Sequence, residues 1–304
     1  MATFFILDKM TKSFQFEHVS LFIPLPMNGL ALILTMQDEN FIAYEDSKLF
    51  FKKTGTGADV LLVFHGFGQN HEAFDVLANG LGDRFTLYAF DLYFHGKSEW
   101  GYEEQPLEKS FLRAIFEKFL SENKIDHFAV AGFSLGARFA MALAEQFPTK
   151  VKHLFLLAPD GIRQSFWFTV STYPIALRKI FKSMIRHPSR FKVIVNTLHE
   201  LRIMNKGLLK FAEHQMNTVE KRQKVYFSWV VFRHLTFNRR KLIRLLNENN
   251  TPVTIVIGKQ DRVITNKSVR GFTNRVLRGN FEVIDTGHTA FLRAPQLIAL
   301  FKRE

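Results

Sequence analysis

A serine bracketed by glycines, Gly132-Phe133-Ser134-Leu135-Gly136, follows an apolar run (HFAVA) and precedes a helical pattern that Pro148 stops. A serine hydroxyl is a weak nucleophile until a base takes its proton, and the base needs an acid to orient it. The position of Ser134 suits the first of these roles. A strand that turns abruptly into a helix strains the backbone at the turn and leaves no room for side chains two residues on either side. Glycines 132 and 136 meet that demand. The same turn lifts the hydroxyl clear of a sheet and aims the free N–H groups of the helix N-terminus at developing negative charge. The competing reading, a structural Gly-Ser turn, leaves the strand–turn–helix context unexplained.

The partners of such a serine follow it in the order acid, then histidine. His288 lies in Asp285-Thr286-Gly287-His288, where a glycine lets the loop carry the imidazole over a sheet; the plainer alternative is a polar loop residue. Two carboxylates compete for the acid. Asp261 follows the run VTIVIG in a short loop, and Asp160 follows VKHLFLLAP. Both end strands at the side where sites of open α/β sheets cluster. Asp261 is preferred, because Asp160 opens an insertion and can serve as a helix cap there. Asp91 also ends a strand but precedes the serine, so it is read as structural. An oxyanion needs two backbone donors: the N–H of Leu135, and that of Phe67 in His65-Gly66-Phe67-Gly68, with His65 shaping the loop.

The elements that must hold these residues are legible as alternating patterns. Phe41–Tyr44, Leu49–Lys52, Asp59–His65, Phe85–Asp91, His127–Phe133, Val151–Leu157, Val253–Gly258 and Phe281–Ile284 read as strands, most of them continuously apolar. Helical spacing separates them, at His71–Leu81 and Pro106–Leu120 and in the stretch after Gly136. The pattern predicts an α/β fold, with a mostly parallel sheet covered by helices on both faces. Residues 161–247 break the rhythm: helical, with no convincing strand, they read as an inserted cap. The core then comprises residues 39–160 and 248–304, and residues 1–38 an extension.

At this point the sequence resembles the α/β-hydrolase family. The resemblance rests on HGFG (65–68), DLYFHGKS (91–98), GFSLGAR (132–138), GKQD (258–261) and GHTAF (287–291), and covers about residues 40–160 and 248–304. It looks like the branch of capped serine esterases and carbon–carbon-bond hydrolases. It implies Ser134, Asp261 and His288 as the triad, and a serine rather than aspartate nucleophile counts against dehalogenase and epoxide-hydrolase chemistry. The implied activity is cleavage of a carboxylic ester or thioester through an acyl-enzyme. Carbon–carbon hydrolysis on the same residues, or a non-catalytic binding module, is the alternative. No cofactor and no metal are implied.

Composition narrows the partners. The chain of 304 residues has no cysteine, which excludes thiolate chemistry and disulfides and fits a cytoplasmic protein. The apolar run at 21–36 is interrupted by Pro24, Pro26 and Asn28, is short for a bilayer span, and lacks the shape of an export signal. Of the net charge of +13, residues 161–247 carry 18 Lys/Arg against three Asp/Glu, so all the excess sits in the cap. The expected reading is a solvated lid over a small acyl ester. An acidic carrier protein or anionic substrate is second; pimeloyl-acyl-carrier-protein esterases, which the chain resembles, have a comparable capped build. Membrane contact through Phe166, Trp167 and Phe168 is not favoured, and nucleic acid is least expected, since no binding motif accompanies the charge.

Overall fold

The computed structural model describes residues 40–304 except 164–165, 201–212, 214, 262 and 265. The expected N-terminal extension therefore lies outside the described residues. Strands β1 (Phe41–Tyr44) and β2 (Ser47–Thr54) form a hairpin. β3 (Asp59–Phe64), β4 (Phe85–Phe90), β6 (Phe128–Phe133), β7 (Val151–Leu157), β8 (Val253–Gly258) and β9 (Gly279–Ile284) follow, with a two-residue β5 (Glu99–Trp100) on β2. They join in one sheet, in the order β1-β2-β4-β3-β6-β7-β8-β9. Pairs involving β2 are antiparallel and all later pairs are parallel.

The continuous apolar runs have a simple cause. Alternate residues of each central strand enter opposite cores. Leu62 and Phe64 of β3 face one layer, and Leu61 and Val63 face the other. The first layer is covered by α2 (Lys109–Glu122) and α3 (Gly136–Gln146), and also by α8 (Arg239–Glu248) and α9 (Asn266–Thr273). The second is covered by α1 (Asp75–Leu81) and α10 (Pro295–Arg303). Phe51, Phe64, Phe90, Phe116, Phe119 and Phe139 pack against one another in the first layer, with ring centroids 5.1–5.9 Å apart.

Between β7 and β8 run α4 (Phe166–Thr172), α5 (Ile175–Arg186), α6 (Pro188–Glu200) and α7 (Val219–Val231), then α8. No strand occurs there among the described residues. Phe181 and Met184 of α5 pack with Met216 and with Val225, Tyr226 and Val230 in and around α7, a small core of their own. α8 differs, since Leu242, Ile243 and Leu246 bury against the sheet layer. Lys182 of α5 pairs with Glu104 of the body, and Arg233 donates to the Glu104 carbonyl at 3.1 Å. Phe168 is buried, under the Arg138 guanidinium and beside Trp229, so it faces inward rather than toward a membrane.

Candidate active site

Ser134 sits at the end of β6 with φ +49°, the left-handed region that a side chain enters only under constraint. The constraint is visible on both sides. A Cβ on Gly132 would lie 2.4 Å from the Gly136 carbonyl oxygen, and one on Gly136 would lie 2.1 Å from that of Phe64. Both neighbours are backbone and cannot swing away. The Ser134 N–H is spent on the Leu157 carbonyl at 2.9 Å, and its carbonyl accepts from Ala137 and Asp160. Only the hydroxyl projects.

His288 comes from the loop after β9, 154 residues further along the chain, and places Nε2 3.1 Å from Ser134 Oγ. Its Nδ1 lies 2.6 Å from Asp261 Oδ2. Asp261 accepts with its other oxygen from the amides of Val263 (2.8 Å) and Ile264 (3.0 Å). Burial alone would raise its pKa. The His288 hydrogen bond, together with the two amides, outweighs burial and holds the carboxyl below its ordinary value. An ionised Asp261 can only accept, so the imidazole proton belongs on Nδ1 and a bare Nε2 faces the serine. The structure thus brings Ser134, His288 and Asp261 into one hydrogen-bonded chain.

Asp160 has another partner. Its Oδ2 accepts from Arg138 Nε at 2.7 Å, and Arg138 is 1% exposed. The same guanidinium donates to the Leu235 carbonyl at 3.2 Å. Asp160 neutralises a buried cation beneath the inserted helices and has no bond to His288. Asp91 is fully buried and binds the backbone N–H groups of His71 (2.6 Å) and Lys97 (2.8 Å) and the ring of His71. It organises the loop after β4.

The two expected oxyanion donors lie on adjoining backbones, because Gly136 touches the carbonyls of Phe64 and His65. Residues 66–69 form a tight turn closed by Gln69 N–H to the Gly66 carbonyl, with Gly68 at φ +78°. That is a type II turn, which requires a glycine at its third position. The Gly66 N–H goes to the Gln69 side chain at 2.9 Å, whereas among the described residues the N–H groups of Phe67 and Leu135 meet no acceptor. His65 locks the loop. Leu92 N–H donates to its Nε2 at 3.0 Å, so its proton sits on Nδ1 and is donated to the Gly66 carbonyl at 2.8 Å. Complete burial drives its pKa down to about 3, so the ring is neutral as these bonds need.

Sequence reasoning missed two contributors. Phe133, the residue before the serine, lays its ring 5.0 Å from the His288 ring and 5.5 Å from Phe291, a platform that keeps the imidazole from rotating away. The strand alternation of β6 was the available signal, since it sends Phe133 to the face opposite Val130. The other is the packing of Phe67 against the Phe181–Tyr226 cluster and edge-on to His95 at 5.3 Å, which ties one oxyanion donor to the inserted helices. Among the described residues no group of three His, Cys, Asp or Glu could hold a metal ion.

The family model described as the alpha/beta hydrolase fold matches residues 59–295. A Mycoplasma genitalium protein, provisionally named an esterase/lipase, is 27% identical over 257 residues, spanning 83% of this chain and 90% of its own. The pimeloyl-[acyl-carrier protein] methyl ester esterase of Nitrosomonas europaea is 23% identical over 261 residues, 82% of this chain and 96% of that one. Among solved structures, a thermophilic esterase from Thermogutta terrifontis superposes with a TM-score of 0.61 at 17% identity, over 87% of this chain and 95% of that one.

Proposed function

This chain belongs to the α/β-hydrolase family and is a hydrolase acting on esters, and from that premise we propose that it cleaves a carboxylic ester or thioester through an acyl-enzyme on Ser134. The observation that carries the reading is the chain of hydrogen bonds from Asp261 through His288 to Ser134 Oγ, at 2.6 and 3.1 Å. As Ser134 Oγ attacks the substrate carbonyl, His288 Nε2 takes its proton, and the carbonyl oxygen becomes an oxyanion between the N–H groups of Phe67 and Leu135. Collapse of that intermediate expels the alcohol or thiol, which leaves with the proton from His288. Water, deprotonated by the same nitrogen, then attacks the acyl-enzyme and releases the acid. Asp261 stays ionised throughout, orienting the ring and stabilising the imidazolium.

Two further features support an acyl substrate. The strained backbone of Ser134 fixes the nucleophile before substrate arrives, so no ordering cost falls in the reaction step. The inserted helices present apolar side chains beside Phe67, which suits an acyl chain better than a sugar or a phosphate. The test is hydrolysis of a series of nitrophenyl esters of increasing acyl length. Turnover by the parent chain and its loss on Ser134→Ala support the reading. A chain inert toward every ester and thioester would contradict it and leave carbon–carbon-bond hydrolysis on the same triad or a binding module.

A further inference from the structure

We propose that the outward face of α5 and α6 docks on the surface of an anionic lipid bilayer. The first observation is charge. Residues 161–200, to the end of α6, hold seven Lys/Arg against one acidic residue, Glu200. Lys179 and Arg186 of α5, with Arg190 and Lys192 of α6, stand in solvent, while Lys182 is occupied by Glu104. The second observation is apolar exposure on the same two helices. Ile175, Leu177 and Ile180 of α5 and Val193 and Ile194 of α6 are exposed, Ile175 by 63% and Val193 by 65%. On α5, Leu177 and Ile180 extend the stripe of the buried Phe181 and Met184 to the surface, while Ile175 stands on the opposite side with Lys179 and Arg186.

The mixture selects the occupant. Cations alone describe a solvated lid. Five aliphatic side chains among the cations describe a surface that enters the boundary between headgroups and acyl chains while Lys and Arg meet lipid phosphate and carboxylate groups. An acidic protein would match the charge and leave the aliphatic groups facing polar surface. Nucleic acid would set them against phosphates. Among the described residues no helix is long and apolar enough to cross a membrane, so the contact is peripheral. α5 also links this surface to the site, since its buried Phe181 and Met184 belong to the cluster that receives Phe67. The proposal does not depend on the chemistry assigned to Ser134.

The experiment is flotation of the full chain carrying Ser134→Ala with phosphatidylcholine vesicles, plain or with about one-third phosphatidylserine. Partitioning onto the anionic vesicles should exceed that onto plain ones by about ten-fold or more at low salt, and fall about ten-fold at about 0.5 M salt. Combining Lys179→Glu, Arg186→Glu and Arg190→Glu should cost about ten-fold, and combining Leu177→Asp, Ile180→Asp and Val193→Asp a comparable amount. The same triplets in the parent chain should leave turnover of a water-soluble ester unchanged, which shows that they fold. Equal or absent binding to both vesicle types would overturn the proposal. So would an aliphatic triplet that binds like the parent, or binding of an acidic acyl carrier protein where vesicles fail. Vesicle binding by a chain without esterase activity would instead count against the hydrolytic reading alone.

Discussion

Replacing Asp261 with asparagine should reverse the proton arrangement of His288 while leaving the fold unchanged. The amides of Val263 and Ile264 donate to one oxygen of Asp261 at 2.8 and 3.0 Å. Only the carboxamide oxygen of an asparagine can occupy that place, so its NH₂ group must face His288 Nδ1, now 2.6 Å from Asp261 Oδ2. Two donors cannot share that gap. The imidazole must move its proton to Nε2, the atom 3.1 Å from Ser134 Oγ, and there it can no longer act as base. Tautomer inversion of this kind in a serine triad costs roughly 10⁴ in turnover, about 5.4 kcal/mol of barrier. The loss should fall on kcat rather than KM, because Asp261 lies behind the imidazole. Steady-state kinetics on a nitrophenyl ester measures both, with the melting temperature as a control for folding. A loss of less than about ten-fold, or a larger one from Asp160→Asn, would refute the argument.

Three other outcomes follow from the same structure. Asp160→Asn should change turnover less than about ten-fold yet destabilise the chain by about 2 kcal/mol, because Arg138 is left buried without its counter-charge; denaturant unfolding measures it. Gly136→Ala should abolish both soluble folding and labelling by a fluorophosphonate, since its Cβ would meet the Phe64 carbonyl oxygen at 2.1 Å, and a well-folded active variant would contradict that geometry. Acid should destabilise the fold through its buried histidines. Burial lowers His65 to about 3 and His95 to about 4, whereas the unfolded rings titrate near 6.5. The unfolded chain therefore binds more protons from pH 6.5 downward, and stability should fall by up to about 1.4 kcal/mol per pH unit for each ring until about pH 4. A denaturant midpoint that stays flat between pH 7 and pH 5 would contradict it.

Much of this site could be read in the residues because its geometry forces their types. A left-handed serine wedged between strand and helix demands glycine at 132 and 136, and a type II turn demands it at 68, so the motifs record backbone collisions. The long parallel strands were equally plain, since burial on both faces removes polar residues from them. What stayed hidden depends on packing between distant segments. Strand β5 is two residues long and α9 is eight, with Val269, Phe272 and Thr273 buried among its described side chains, too short a pattern to show a period. The preference for Asp261 over Asp160 rests in the sequence on Asp160 opening the insertion as a possible helix cap, whereas the physical reason, the buried Arg138, lies in a helix whose outward pattern does not announce it. Phe166 and Phe168 look alike in sequence; one is exposed and the other sits under that guanidinium.

The most direct test of the central claim is the address of a covalent adduct. The full chain is treated with a fluorophosphonate, its intact mass is measured, and the modified peptide is sequenced by fragmentation. One phosphonyl group per chain, on Ser134 within Gly132–Gly136, with ester turnover lost in proportion, is the predicted result. An adduct on another serine, or full ester turnover after stoichiometric labelling, would contradict it.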